Sequence, residues 1–392
     1  MYTADKIDNV IYYLLCFFAI SSSISEKIAS FILAILLILS IIRCYFKKPI
    51  WDISLGFKKP LLFFVGIFFV FAIISPDISR GFSQYWWIIS SMAPVFFISI
   101  FIKNKDKAIF IFKLLYLSML INIVYAVFGN INVWLDAFGA TRLFGFDWII
   151  TFASRLLIFI PITLIFIYEK VNNKIFIPIL LLSFLATIIN GTRIVWLIVP
   201  LIFIIISCMY IKKIKNLISL CLMLVITLLL VVNLSSNIEN KINSLTEFKD
   251  TSIKGHYYIG LDTINMIKDY PILGIGLGQF KNIYNEQYKS EQTAKVEPGR
   301  VFHAHNNTLM IMAETGVVGV ITFWYMFGSF LFLTYQKWYR YREISHLIMF
   351  SITLTLMLQG ITENSFGLRP VMMIYFSILG LYLVYNARIG RV

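Results

Sequence analysis

Long apolar runs separated by short polar loops recur from one end of the chain to the other. Each run is long enough to cross a bilayer, which takes roughly 17–25 residues of helix. The predicted spans are 7–24, 28–45, 59–75, 85–102, 108–128, 148–168, 174–190, 193–211, 216–235, 316–335, 344–361 and 370–387. The pattern predicts an all-α, polytopic integral membrane protein of about twelve transmembrane helices.

One long polar segment interrupts this pattern and divides the chain into three parts. Residues 1–235 are predicted to form an N-terminal transmembrane bundle of about nine helices, 236–315 a large loop, and 316–392 three C-terminal helices. Within the loop, the apolar residues Tyr257, Leu261, Ile264, Met266 and Ile267 predict an amphipathic helix. Such a helix either lies on the bilayer surface or caps the bundle.

The charge distribution predicts the orientation of the chain in the membrane. The net charge is +14, and the basic residues concentrate in alternate short loops. The positive-inside rule then puts both termini in the cytoplasm and the large loop on the outer, periplasmic side. A soluble protein is excluded because 59% of the residues are hydrophobic. No nucleic-acid partner is needed to explain the charge, since membrane topology and membrane lipid account for it.

Two of the four histidines, His303 and His305, lie directly before a predicted helix start at Asn306. The helix dipole disfavours a positive charge at this position, so the imidazole should be neutral and able to accept a proton. An interfacial histidine can equally be a hydrogen-bonding anchor. Further along, Thr315 and Gly316 predict a break before a second apolar helix. A metal site at His303 and His305 would lack a third ligand at suitable spacing, and none is predicted.

Ionisable groups concentrate at the predicted outer ends of the helices, where Arg142, Arg193, Arg369, Glu363 and His256 lie. A transporter coupled to ions would need acidic or histidine relays at mid-membrane depth, and few ionisable groups are expected there. Arginines at helix ends are commonly interfacial anchors. Arg193 differs because it begins an apolar helix, whose N-terminus repels cations, and a bound anion such as phosphate would offset that repulsion.

A glycine-rich segment, Gly274 to Gly278, follows the predicted amphipathic helix. It does not have the Gly-x-Gly-x-x-Gly spacing of a dinucleotide site, and it follows a helix rather than a strand. A tight turn in which two backbones approach closely is the simpler interpretation.

Together these motifs resemble the O-antigen ligase family. The first is His305-Asn306, nine further residues, and then Gly316-Val317-Val318-Gly319. The second is the segment from Asp269 to Gly276, which contains Gly274 and is similar to the family's Asp-x-Pro-x-x-Gly-x-Gly stretch. The third is Thr192-Arg193 before a central helix. Twelve helices with one late periplasmic loop, in a GT-C-like bundle, also agree with the family.

The resemblance implies a glycosyltransferase of the bacterial inner membrane with a periplasmic active site. The donor would be a glycan on undecaprenyl pyrophosphate, and the acceptor a sugar hydroxyl of lipid A-core or another glycolipid. His305 would be the general base, and Arg193 would hold the pyrophosphate leaving group. The residues expected to assist in substrate binding are His256, His303, Asn306, Lys254, Arg142 and Arg369. The resemblance implies neither a metal nor another cofactor.

One position departs from the family pattern. The family commonly has an arginine about fifteen residues before the proline of the glycine segment, as a second pyrophosphate contact. The same offset from Pro271 gives His256 here, with Lys254 close by. The closest alternative function is a repeat-unit polymerase of the same superfamily, and a transporter of lipid-linked sugars is a more distant one.

Overall fold

The computed structural model describes residues 2–46, 51, 54–132, 143–211 and 251–387, and all regular secondary structure within them is helical. The all-α fold predicted from the sequence is therefore confirmed. The helices are α1 (Tyr2–Ser21), α2 (Glu26–Phe46), α3 (Leu55–Ile74), α4 (Ile78–Phe101), α5 (Lys105–Gly129), α6 (Ile149–Tyr168), α7 (Asn173–Asn190), α8 (Arg193–Tyr210), α9 (Thr251–Asp269), α10 (Phe280–Ile283), α11 (Glu291–Val296), α12 (Asn307–Tyr341), α13 (Ile344–Gln359) and α14 (Arg369–Asn386).

Eight of these helices, α2 to α8 and α12, are long and apolar enough to cross a membrane, and α13 is a shorter apolar helix. One predicted span, 216–235, lies outside the described residues, and each of the other eleven coincides with a helix. A polytopic membrane protein is thus confirmed. Helix α4 begins at Ile78 rather than at 85 because the side chain of Asp77 accepts a hydrogen bond from the backbone N–H of Arg80.

The centre of the bundle is formed by α6 and α14. Every residue of α6 from Thr151 to Ile165 is buried. Helix α14 packs against α4 at Gly380, where an added Cβ atom would lie 3.0 Å from the Cβ of Ile98. Small residues allow helices to approach this closely. In a membrane the hydrophobic effect does not drive helices together, so close packing contributes much of their association.

The loop before α12 folds around a second hydrophobic core that is separate from the core of the bundle. The buried residues of this core are Ile259, Met266, Ile267, Ile275, Phe280, Tyr284, Val301, Ala304 and Ala313. Helix α9 contributes one face to it. Tyr257, Leu261 and Ile264, at spacings of four and three residues, remain exposed on α9. This apolar stripe has the character of a helix that lies at a membrane surface.

A buried carboxylate organises the loop. Asp262 on α9 accepts hydrogen bonds from the hydroxyl groups of Tyr284 at 2.8 Å, Ser290 at 3.1 Å and Thr293 at 2.6 Å. Tyr284 begins a π-helical turn (Tyr284–Tyr288), and Ser290 caps α11. One buried acid therefore connects α9 to both of the following short elements, and its own polar atoms are satisfied in the process.

The loop is held to the bundle by pairing between two backbones. The N–H of Ile275 donates to the carbonyl of Ala313 at 2.9 Å, that of Gly276 to Glu314 at 3.0 Å, and that of Val317 to Pro271 at 2.9 Å. Helix α12 is kinked at Gly316, where φ is 62° and ψ is −164°. The kink leaves carbonyl and amide groups free to pair with the glycine turn.

The two segments approach so closely that side chains are excluded on both sides. A Cβ atom on Gly274 would collide with the backbone of Glu314 and Thr315, and one on Gly316 with the backbone of Ile272 and Leu273. Gly276 has a φ of 107° and faces Pro76, and Gly319 packs against Thr315. These positions require glycine for space, and Gly274, Gly276 and Gly316 also require it for their positive φ angles.

We expect Gly316→Ala to destabilise the protein. A residue with a Cβ atom pays about 1–3 kcal/mol to adopt this backbone conformation, which is almost restricted to glycine, and the collision with the backbone of Ile272 adds to this. Thermal unfolding in detergent measures the effect. Gly328→Ala in the same helix is the control, since nothing lies within 4 Å of its added Cβ. That variant should be neutral or more stable by about 0.5–1 kcal/mol, and equal losses for both variants would contradict the role of the kink.

Candidate functional site

Four ionisable side chains from three separate parts of the chain meet at the start of α12. His256 comes from α9, His303 and His305 from the segment before α12, and Glu363 from the connection between α13 and α14. The ring centroids of His256 and His305 are 3.9 Å apart with the planes inclined by 20°, and those of His303 and His305 are 4.2 Å apart at 69°. Nδ1 of His305 lies 3.5 Å from Oε2 of Glu363.

Two asparagines bring the histidine segment to Glu363. The amide of Asn306 donates to the carbonyl of Ile361 at 2.7 Å, while its side-chain oxygen caps α12 by accepting from the N–H of Leu309 at 2.9 Å. Asn307 is buried, and its backbone N–H donates to the carbonyl of Gly360 at 2.7 Å. Its side chain also accepts from the N–H of Phe366 at 3.0 Å. The His-Asn-Asn sequence therefore both starts the helix and fixes the segment that carries Glu363.

The backbone of His305 is in the left-handed region, with φ at 48°. This conformation is uncommon for residues other than glycine, although histidine, asparagine and aspartate adopt it more readily than most. Strained backbone of this kind occurs preferentially at functional sites, where neighbouring contacts compensate for its cost. Here the cap made by Asn306 holds the following helix, and the turn at His305 directs its ring toward His256 and Glu363.

All three imidazoles are held in the neutral form. Burial lowers the pKa of His305 to about 4, and it lowers the pKa of His303 and of His256 to about 4 as well. In His303 and His256 the neighbouring His305 adds to the effect, and the carboxylate of Glu363 opposes it. The sequence predicted a neutral imidazole from the helix dipole, whereas desolvation is the larger cause in the structure.

Glu363 orients the imidazole ring of His305. Its carboxylate faces Nδ1, so the tautomer that carries its proton on Nδ1 leaves Nε2 with the free lone pair. The side chain of Glu363 is only 11% exposed and that of His305 22%. A neutral imidazole with a carboxylate behind one nitrogen and an open second nitrogen can act as a general base.

Arg193 contributes its charge to the same site. It is the first residue of α8, directly after the α7–α8 junction, where Gly191 has a φ of 68°. Asn190 shapes this junction by donating to the carbonyl of Leu143 at 2.7 Å. The guanidinium of Arg193 contributes to lowering the pKa of His256, so the two groups lie within electrostatic range. A half-buried arginine beside neutral imidazoles can bind an anion.

The cluster contains the side chains of a metal site, since one ligand atom each of His256, His305 and Glu363 lies within 4.8 Å of the others. In the sequence only the pair His303 and His305 suggested a metal site, whereas the structure groups His305 with His256 and Glu363. However, imidazole nitrogens bind a metal along lone pairs that lie in the ring plane. The rings of His256 and His305 are stacked nearly parallel, so these lone pairs do not converge on one point. Joint coordination would require one ring to rotate.

The other predicted substrate-binding residues have different positions. The guanidinium of Arg369 lies 3.7 Å from the carboxylate of Glu26 and over the ring of Trp87. Lys254 is on α9 two residues before His256, and residues at that spacing do not share a helix face. Arg142 lies outside the described residues.

No motif in the sequence predicts a role for Glu363, which stands out there only as one of the charges at the outer ends of the helices. It is separated from His305 by 58 positions and belongs to none of the motifs. The sequence did contain one indication of a role for Glu363, because it is an acid in the short polar segment between two apolar helices. Ionisable residues next to membrane spans are candidates for function.

Residues 178–324 match the family model described as O-antigen ligase. No curated protein matches the chain. The matched segment includes Arg193, His256, His303 and His305, and it confirms the resemblance drawn from the motifs. Over these residues the chain is similar to the O-antigen ligase family, and the match supports a membrane enzyme of the ligase or polymerase type that processes glycans.

The lowered pKa values predict the pH dependence of any reaction that uses His305 as a base. A base must be neutral, and protonation should occur only as the pH falls toward about 4. We therefore expect kcat/KM, which reports the free enzyme, to stay level between pH 7 and roughly pH 5 and to fall below that. Recovery of activity on return to pH 7 excludes unfolding. A half-maximal rate near pH 6.5, the value of an exposed histidine, would contradict the prediction.

Proposed function

We propose that this protein transfers a glycan from undecaprenyl pyrophosphate to a sugar hydroxyl of lipid A-core or a similar glycolipid, at the periplasmic face of the bacterial inner membrane. The observation that carries the proposal is the cluster of neutral imidazoles, with the charge of Arg193 close by, at one end of a membrane bundle. The match of residues 178–324 to the O-antigen ligase family supports the choice of a lipid-linked donor.

In the proposed reaction the acceptor hydroxyl attacks the anomeric carbon of the donor sugar. A carbon–oxygen bond forms, the bond between that carbon and the pyrophosphate oxygen breaks, and the hydroxyl proton passes to Nε2 of His305. Positioned general bases contribute roughly 10²–10⁴-fold to such steps. A single displacement of this kind inverts the configuration at the anomeric carbon.

Arg193 would stabilise the leaving group. Negative charge develops on the pyrophosphate as the glycosidic bond breaks, and a guanidinium placed there in advance is a strong stabilising group in a site of low dielectric constant. A planar fork of donors also matches phosphate oxygens. This positive charge can take the place of a metal ion, and we propose a reaction independent of metals and other cofactors.

His256 and His303 would line the site around the base. Both are neutral, so each offers one N–H donor to a phosphate or sugar oxygen without raising the charge next to His305. The ring of His256 also stacks on that of His305 and limits its rotation. Asn306 would act mainly through its cap and its hydrogen bond to Ile361, which hold the base in place.

The alternative is a polymerase that joins repeat units on the same carrier, and the compact histidine motif favours the ligase. The two functions differ in what a deletion strain accumulates. Loss of a ligase leaves long chains on the lipid carrier and none on core lipid. Core lipid bearing single units would instead identify a polymerase. A transporter would form no covalent product when purified protein is supplied with donor and acceptor.

We expect His305→Ala to reduce transfer by roughly 10²–10⁴-fold and Arg193→Ala by roughly 10²–10³-fold. The readout is product formation by purified protein with defined donor and acceptor. Arg340→Ala, which removes an exposed arginine at the far end of α12, is the control and should have no effect. Full activity of His305→Ala at normal protein levels would disprove the assignment of the base.

We expect Glu363→Gln to lower kcat about tenfold with little change in KM. That is less than the roughly 10⁴-fold found for the carboxylate of a serine protease triad, because 3.5 Å is a long contact. The carboxylate lies 3.5 Å from Nδ1 of His305 and raises the pKa of the neighbouring His256 and His303. Its loss should therefore move the acid limb of the pH profile to lower pH. Glu291→Gln, which changes an exposed acid on α11, is the control. An unchanged pH profile would argue against a positioning role.

A further inference from the structure

A polar cavity separate from the histidine cluster lies beside the histidine segment, and none of the residues that line it has a role in the reaction proposed above. Its volume is about 220 Å³, and one wall is the π-helical turn with its flanking residues while the other is the chain at 298–300. Three cations, Lys281, Lys289 and Arg300, line it together with one acid, Glu286. Within the described part of the chain none of the three cations forms an ion pair, so their charge is available to a ligand.

The cavity is built into the fold rather than formed by loose surface chains. Asn285 holds its two walls together, because its side chain accepts from the N–H of Val301 at 3.0 Å and donates to the carbonyl of the same residue at 2.7 Å. The ammonium of Lys289 donates to the carbonyl of Gly299 at 2.5 Å. That of Lys281 lies 4.1 Å from the ring centroid of Phe302. The backbone and one aromatic ring thus fix two of the three cations.

The position of the cavity connects it to the base. Arg300 precedes the base, His305, by five residues, so their Cα atoms are at most roughly 18 Å apart. The cavity is also smaller than the roughly 300–1,000 Å³ that encloses a drug-sized ligand. It therefore suits one sugar residue or a charged substituent rather than an oligosaccharide.

We propose that this cavity, the basic pocket, binds an anionic substituent, phosphate or carboxylate, on a sugar close to the reacting hydroxyl or the transferred glycan. This inference rests on the proposed function and specifies its substrate class: the enzyme selects charged glycans. Three cations against one acid favour an anion, and ammonium and guanidinium groups donate strong hydrogen bonds to phosphate and carboxylate oxygens. Binding there would also orient the acceptor hydroxyl toward His305.

The test compares two double variants that each remove two positive charges. Lys281→Gln with Arg300→Gln neutralises the pocket, and Lys268→Gln with Lys295→Gln neutralises exposed lysines outside it. Transfer is measured with acceptor glycolipid carrying its sugar phosphates and with the same glycolipid after phosphatase treatment. Donors with and without an acidic sugar form the second arm.

We expect the pocket variant to raise KM for the charged substrate about tenfold, equivalent to about 1.4 kcal/mol, with kcat little changed and no effect on the neutral substrate. A higher KM for the acceptor would place the anionic group on the acceptor, and a higher KM for the donor would place it on the donor. In the wild type KM for the charged substrate should increase with salt, because exposed charges are screened. The pocket variant should lose this dependence, and the outer lysine variant should keep it.

Equal KM values for charged and neutral substrates in the wild type, or equal effects of both double variants, would overturn the proposal. Lys281→Arg with Arg300→Lys keeps the charge and should retain wild-type KM, which separates charge loss from misfolding. Calorimetric binding of the phosphorylated and dephosphorylated acceptor to wild type gives a readout without catalysis. Charge-dependent binding without any transfer would reject the proposed transferase function while supporting the pocket, and transfer without charge discrimination would do the reverse.

Discussion

The site depends on one interaction, the pairing of the backbone of the glycine turn with the kink of α12. The hydrogen bonds from Ile275, Gly276 and Val317 place the second hydrophobic core against the end of the bundle. They are possible only because glycine at 274 and 316 leaves the two backbones in direct contact. Since α9 and the histidine segment both pack in that core, the position of His256 relative to His305 follows from this pairing.

The electrostatics of the site follow from its burial. Three imidazoles within contact distance would repel one another if charged, and desolvation already disfavours their charged forms. Positive charge is instead supplied by the guanidinium of Arg193. The site thus separates the two requirements of the proposed reaction, a neutral proton acceptor and a permanent cation for the leaving group.

The sequence predicted the parts of the site that depend on local pattern. Asn306 could be recognised as a cap and Gly316 as a break because each acts through neighbouring residues. His305 was predicted from a compact motif in which Gly316 follows it by eleven positions, and this motif lies within the residues 178–324 that match the family model. The predicted spans within the described residues coincide with helices of the structure. A membrane helix forms its backbone hydrogen bonds within its own segment, so an apolar run is enough to locate it.

The sequence did not predict contacts between distant segments. The pairing of Glu363 with His305 depends on how α13 and α12 meet, and the stacking of His256 on His305 depends on the second core. His256 was found by its offset from Pro271, but an offset cannot distinguish a phosphate contact from a ring contact. The cations of the basic pocket likewise lie in unremarkable positions of the sequence and converge only when Asn285 joins the two walls.

The left-handed backbone at His305 has a practical consequence for capturing substrate complexes. Alanine at that position would remove the imidazole and also disfavour the turn that starts α12. Asparagine tolerates positive φ, has no group that takes up a proton at neutral pH, and retains a polar side chain. His305→Asn is therefore the substitution of choice for an inert but correctly shaped protein in which donor and acceptor can be bound together and visualised.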